Sequence, residues 1–201
     1  MCIMNFLLRF LFVFSITFLK SQNVDSLAKI SSELKESEIR IYKDRGITNS
    51  GDVFRIYNDN KVWKAELIRW FLPKEISNDE FESSSPKLTV LKSEKPLEEV
   101  FVNFQIRNIN FLPEEESFQY KKTNGKKVVY DKNEKAFVIQ QKLMEVSDGT
   151  GYIVKYKSGK QQNEFSYNNP ESYLKEYPEI NELKDFVDIL NYIRKEFNIE
   201  F

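Results

Sequence analysis

Histidine is absent from the chain and cysteine occurs once, at Cys2. Without histidine, nucleophilic systems that move their proton through an imidazole have no base, and a zinc site built from His and Cys has no ligand set. With one cysteine there is no intrachain disulfide, so stability must come from packing. Glycine and proline are sparse, six of each in 201 residues, which excludes collagen-like and low-complexity architecture. Neither sign of charge dominates, with 30 basic against 31 acidic residues and a net charge of −1. A pI of about 5.8 lacks the basic excess that nucleic-acid binding requires, so no nucleic acid is expected as partner.

The longest apolar run, Phe10 to Leu19, follows Arg9 and precedes Lys20-Ser21-Gln22. A basic start, a short apolar segment and a small residue after it read as a signal peptide cleaved near Ser21 or Gln22. The run falls well short of the roughly 20 apolar residues that span a bilayer, so no membrane span is expected after cleavage. Cys2 lies before the run, where it cannot serve as a lipoprotein cysteine. Removal of 21 of the 201 residues leaves 180, with 28 basic and 31 acidic side chains, a net charge of −3. That is the size of one domain, residues 22–201, in the periplasm or outside the cell.

Within it, Val24, Leu27, Ile30 and Leu34 have helical spacing and predict a first helix over 24–37. From Ser37 the period becomes two. Ile39 and Ile41, then Phe54 and Ile56, then Trp63, Ala65, Leu67 and Phe71 predict three strands of a meander. Residues 73–86 read as a mobile connection, 87–92 as a short strand, and 96–108 as a helix with Pro96 in its first turn, although the β-branched and aromatic residues there leave a strand open. Further strands are expected at 118–122, 126–130, 136–143, 151–157 and 163–167, separated by Asn-Gly and Ser-Gly turns. Ile180, Leu183, Phe186, Val187, Leu190, Ile193 and Phe197 form one stripe of a C-terminal helix. The sum is an α+β domain, a mostly antiparallel sheet built from meanders and packed by an N-terminal helix and a long C-terminal helix, the two β-rich halves joining as one sheet or packing as two.

The stretch Gly149-Thr-Gly-Tyr-Ile-Val-Lys-Tyr-Lys-Ser-Gly159, then Phe165-Ser-Tyr-Asn-Asn-Pro-Glu-Ser-Tyr-Leu-Lys-Glu-Tyr-Pro178 and the helix at Glu182-Leu, resembles uncharacterised exported proteins of flavobacteria. The resemblance extends to the Ile39 to Leu72 meander. It implies a cell-envelope or secreted location and carries no activity or catalytic residues.

Candidate chemistry is limited. Asp59 and Asp148 sit in turns without the ligand register or bidentate Glu of a calcium loop, and Glu114-Glu115-Glu116 reads as a solvated loop, so no metal or cofactor is expected. Tyr167, Tyr173 and Tyr177 fit either a stacking platform or a lock between helix and sheet. In the meander, if Ile39, Ile41, Phe54, Ile56 and Trp63 face the core, alternation sends Arg40, Tyr42, Arg55, Tyr57, Lys64, Glu66 and Trp70 to the opposite face. Arg, Tyr and Trp are the types enriched at binding hot spots, so Arg40, Tyr42, Arg55, Tyr57 and Trp70 are the expected recognition residues, unless a second layer covers them. Arg69 interrupts the apolar side of the third strand, which raises the prospect of a bulge. The expected function is a non-enzymatic envelope or extracellular module binding a protein or glycan. The competing expectation is a histidine-free hydrolase acting on glycans through paired carboxylates.

Overall fold

A computed structural model describes residues 24–44, 48–77, 80–142, 144, 146 and 149–201. The expected signal peptide at 1–21, and Asp148, lie outside these residues.

Alternating apolar side chains build a six-stranded sheet. The meander is β1 (Ser37–Asp44), β2 (Ser50–Asp59) and β3 (Val62–Phe71). β2 turns into β3 through Asn60 and Lys61, both at positive φ (54° and 69°), the geometry a two-residue hairpin needs to match strand twist. The β2–β3 register runs unbroken from Ser50↔Phe71 to Asp59↔Val62, so there is no bulge. Arg69 is instead a cross-strand partner of Asp52, donating to it at 2.8 and 3.2 Å at the rim of the sheet.

Next come a small hairpin, β4 (Lys74–Ser77) and β5 (Glu80–Glu82), and the edge strand β6 (Lys87–Val90). Later strands are β7 (Asn124–Asp131), β8 (Ala136–Lys142), β9 (Gly151–Ser158) and β10 (Gln161–Asn168). The large sheet has the order β10-β9-β1-β2-β3-β6 and is antiparallel throughout. Because β1 pairs with both β2 and β9, the meander shares one sheet with β9 and β10, while β7 and β8 form a separate pair.

The helices are α1 (Val24–Leu27), α2 (Leu97–Ile106), α3 (Pro170–Glu176) and α4 (Asn181–Phe197), with a 3-10 helix at Glu115–Lys121. α2 and α4 cover one face of the sheet, where Ile39, Ile41, Phe54, Ile56, Val154 and Phe165 meet Phe104, Leu183, Phe186, Leu190 and Ile193 in one apolar core. All seven residues of the stripe expected on the C-terminal helix are buried.

Three local expectations are corrected. The helix expected over 24–37 is a single turn. Lys29 takes φ 54° and ends it, and the carbonyls of Ser31 and Glu33 accept from Arg40 rather than from a following helical turn. The strand expected at 118–122 is instead the end of the 3-10 helix Glu115–Lys121, because Glu115, Phe118 and Lys122 are buried at three- and four-residue spacing, while Tyr120 between them is exposed. The connection at 73–86 contains the β4–β5 pair.

Candidate functional site

Arg40, Tyr42, Arg55, Tyr57 and Trp70 do share one face of the sheet, but they are not an exposed surface. None is more than 8% exposed. The segment from Val24 to Glu36 lies across them as a strap, with Val24, Leu27, Ala28 and Ile30 packed on Tyr42, Val53, Ile68 and Trp70.

Beside this apolar patch the strap is tied by charge. Arg40 donates through Nε to Glu38 (2.5 Å), through Nη1 to the carbonyl of Ser31 (2.6 Å) and through Nη2 to that of Glu33 (2.9 Å). Tyr42 donates to Asp25 at 2.6 Å. Arg55 donates to the same Glu38 oxygen at 2.8 Å and stacks 4.2 Å above the Tyr57 ring, whose hydroxyl donates to Glu66 at 2.9 Å. Burial pushes the Glu38 carboxyl up. Hydrogen bonds from Arg40 and the Lys35 amide, with the charge of Arg55, outweigh it and hold Glu38 below its usual 4.5. Burial, then the bond to Glu66, pushes Tyr57 up to about 12. The arrangement is a fastening between strap and sheet.

The three tyrosines near the C-terminal helix also serve packing. Tyr167 is fully buried, 4.9 Å from Phe186 and 5.2 Å from Phe118. Tyr177 is buried, and half-buried Tyr173 lies alongside it. Asp59 accepts from Lys35 and Lys64 at the surface.

The Glu114 run borders a polar cavity of about 640 Å³, also lined by Gln119, Lys122, Ser166, Asn168 and Tyr173. Glu114 accepts from the Ser166 amide and hydroxyl (2.9 and 3.1 Å), and Glu115 from the Asn168 amide and side chain (2.9 and 3.1 Å). Lys122, only 3% exposed, donates to Glu115 and rests 4.1 Å above the Tyr173 ring. Burial pushes Lys122 down to about 8. The expectation of a solvated loop therefore holds for Glu116, which is exposed, and not for Glu115, which is buried. Among the described residues no group of three or more His, Cys, Asp or Glu is placed to hold a metal ion.

Lys122 is also the root of a different feature. Immediately after it the chain runs out along β7 and back along β8, two strands that pair with each other and not with the large sheet. Asp131 accepts from the amides of Asn133 and Glu134 and shapes the turn. The register pairs Val128 with Ile139 and Tyr130 with Phe137, so period two places these four on a single face. They are 54 to 76% exposed. The Tyr130 and Phe137 rings meet edge to face at 5.2 Å.

These four were not singled out from the sequence, although alternation on both strands and the four-residue turn between them carried the signal. That no other described residue covers them is a tertiary fact. No protein-family model matches the chain, and neither does any curated protein or solved structure with which it was compared.

Proposed function

We propose that the chain is an exported, non-enzymatic interaction module of the cell envelope or exterior, and that it engages its partner through the β7–β8 hairpin. One observation carries the reading: Val128, Tyr130, Phe137 and Ile139 form a continuous apolar face that no other part of the described structure covers. A two-stranded hairpin is marginal in water by itself, and a contiguous exposed apolar face is the usual mark of an interaction site. The expected recognition face on the meander is buried, and among the exposed apolar side chains those of the hairpin are paired across two strands on one face. Export rests on the pattern of residues 1–21 and on the resemblance to exported flavobacterial proteins.

The carboxylate hydrolase has less support. A glycosidase needs one acid with a raised pKa. Among the described residues four carboxylates have a displaced pKa, all downward: Asp59 by Lys64 and Lys35, and Glu38, Glu182 and Glu196 by hydrogen bonds that outweigh burial. Glu114 and Glu115 beside the cavity are engaged by backbone amides.

The test compares the wild-type protein with a Tyr130→Ser, Phe137→Ser double variant in the producing cell. Both should melt at nearly the same temperature, since neither side chain reaches the core. Recovery in the envelope fraction should fall at least tenfold in the variant, and intact mass should show loss of the first 21 or 22 residues. Equal recovery of the two proteins, or a retained Met1, contradicts the proposal.

A further inference from the structure

We infer that the partner of the hairpin face is the surface of an anionic lipid bilayer, a deepening that rests on the docking role just proposed. Charge separates this partner from the others. Between Asn124 and Lys142 the hairpin carries Lys126, Lys127, Lys132, Lys135 and Lys142 against Asp131 and Glu134, a net charge of +3. The whole chain carries −1, so the remainder carries −4. Cationic charge is therefore concentrated on the element that also bears the free apolar face. That pairing defines an interfacial membrane-binding element: apolar side chains enter the boundary between headgroups and acyl chains while flanking lysines meet anionic headgroups.

The positions agree with that use. Tyr130 and Phe137 lie next to the turn that holds Lys132 and Lys135, so aromatic rings and ammonium groups sit at the same end. Long lysine stems lie along an apolar surface and keep their charge in the headgroup layer. β7 has eight residues, and at about 3.4 Å per residue it reaches roughly 27 Å. That is about three Debye lengths of ~8 Å at physiological ionic strength. Charge at the root of the hairpin is thus screened from the tip.

A second copy fits less well. Placing two such hairpins face to face in a two-fold contact brings together two charges of +3. A fluid bilayer needs no matched shape, so apolar side chains flanked by lysines suffice for binding. Both edges of the two-stranded ribbon are open, and unpaired backbone is not tolerated in hydrocarbon. The element therefore lies in the interface by one face and does not cross.

The experiment is flotation with vesicles of phosphatidylcholine alone and of phosphatidylcholine mixed with phosphatidylglycerol, using wild type, the Tyr130→Ser, Phe137→Ser variant and a Lys132→Gln, Lys135→Gln variant. All three share the same N-terminal residues, so differences between them report the hairpin. Wild type should float with the anionic vesicles, and added salt should weaken the association. The serine pair should abolish it, and the glutamine pair should weaken it about 25-fold, roughly fivefold per lysine. Equal association with both vesicle types, or no association of wild type, overturns the lipid assignment. If the serine pair still lowers recovery in the envelope fraction, the docking role stands with a protein or glycan as partner. If it changes neither readout, both fall. A wild-type dimer in sedimentation equilibrium that the serine pair converts to monomer assigns the face to a second copy and overturns the lipid partner.

Discussion

At the scale of single residues the decisive side chain is Arg40, fully buried between the sheet and the strap. It engages two carboxylates, Glu38 and Asp25, and two backbone carbonyls at once, and its removal leaves buried Glu38 with Arg55 and the Lys35 amide. Arg40→Met should therefore cost about 3–5 kcal/mol in urea unfolding, the usual result of breaking one side of a buried pair. The pH dependence has a definite sign. A carboxyl held below 4.5 in the folded state contributes stability that is complete above that value and is lost as pH falls through the lower, folded value. Wild type should lose stability below pH 4.5, and Glu38→Gln should show a shallower loss over the same range. Equal slopes in the two proteins would remove Glu38 from the account. Gly51 shows a tighter constraint on one atom: a Cβ there would lie 2.5 Å from the Trp70 ring and 2.7 Å from the Lys43 carbonyl, so the indole lies where only glycine leaves room.

At the scale of elements, the meander, α2 and the C-terminal helix were legible because periodicity reports which side of an element is apolar. It does not report what lies on the other side. Arg40, Tyr42, Arg55, Tyr57 and Trp70 were grouped correctly onto one face by alternation, yet whether that face met solvent depended on residues 24–36. The strap was itself misread because Val24, Leu27 and Ile30 suit a helix, while the hydrogen bonds that straighten it come from a strand up to nine residues away. Removing Val24–Glu36 should expose Trp70 and shift tryptophan emission to longer wavelength, with a lower melting temperature. An unchanged emission spectrum would mean that the strap does not shield the indole.

For the whole molecule, the joining of the meander to β9 and β10 through β1 makes the large sheet one cooperative unit. The β7–β8 ribbon stands apart from it. Amide exchange should be slowest in β1, β2 and β9, close to the limit set by global unfolding, and faster by orders of magnitude in β7 and β8. Matching protection in the ribbon would show that it is packed, and would undercut its availability to a partner. Composition and periodicity by themselves determined the exclusions of histidine and disulfide chemistry, the α+β class, the meander and the apolar stripe of the last helix, because these depend on local spacing and on which residue types exist at all. Only the tertiary structure decided that the meander shares a sheet with β9 and β10, that the Arg/Tyr/Trp face is closed by the strap, and that no described residue covers the face of Val128, Tyr130, Phe137 and Ile139. An apolar residue has the same identity whether covered or bare, and covering is a property of segments distant in sequence that meet only when the chain has folded.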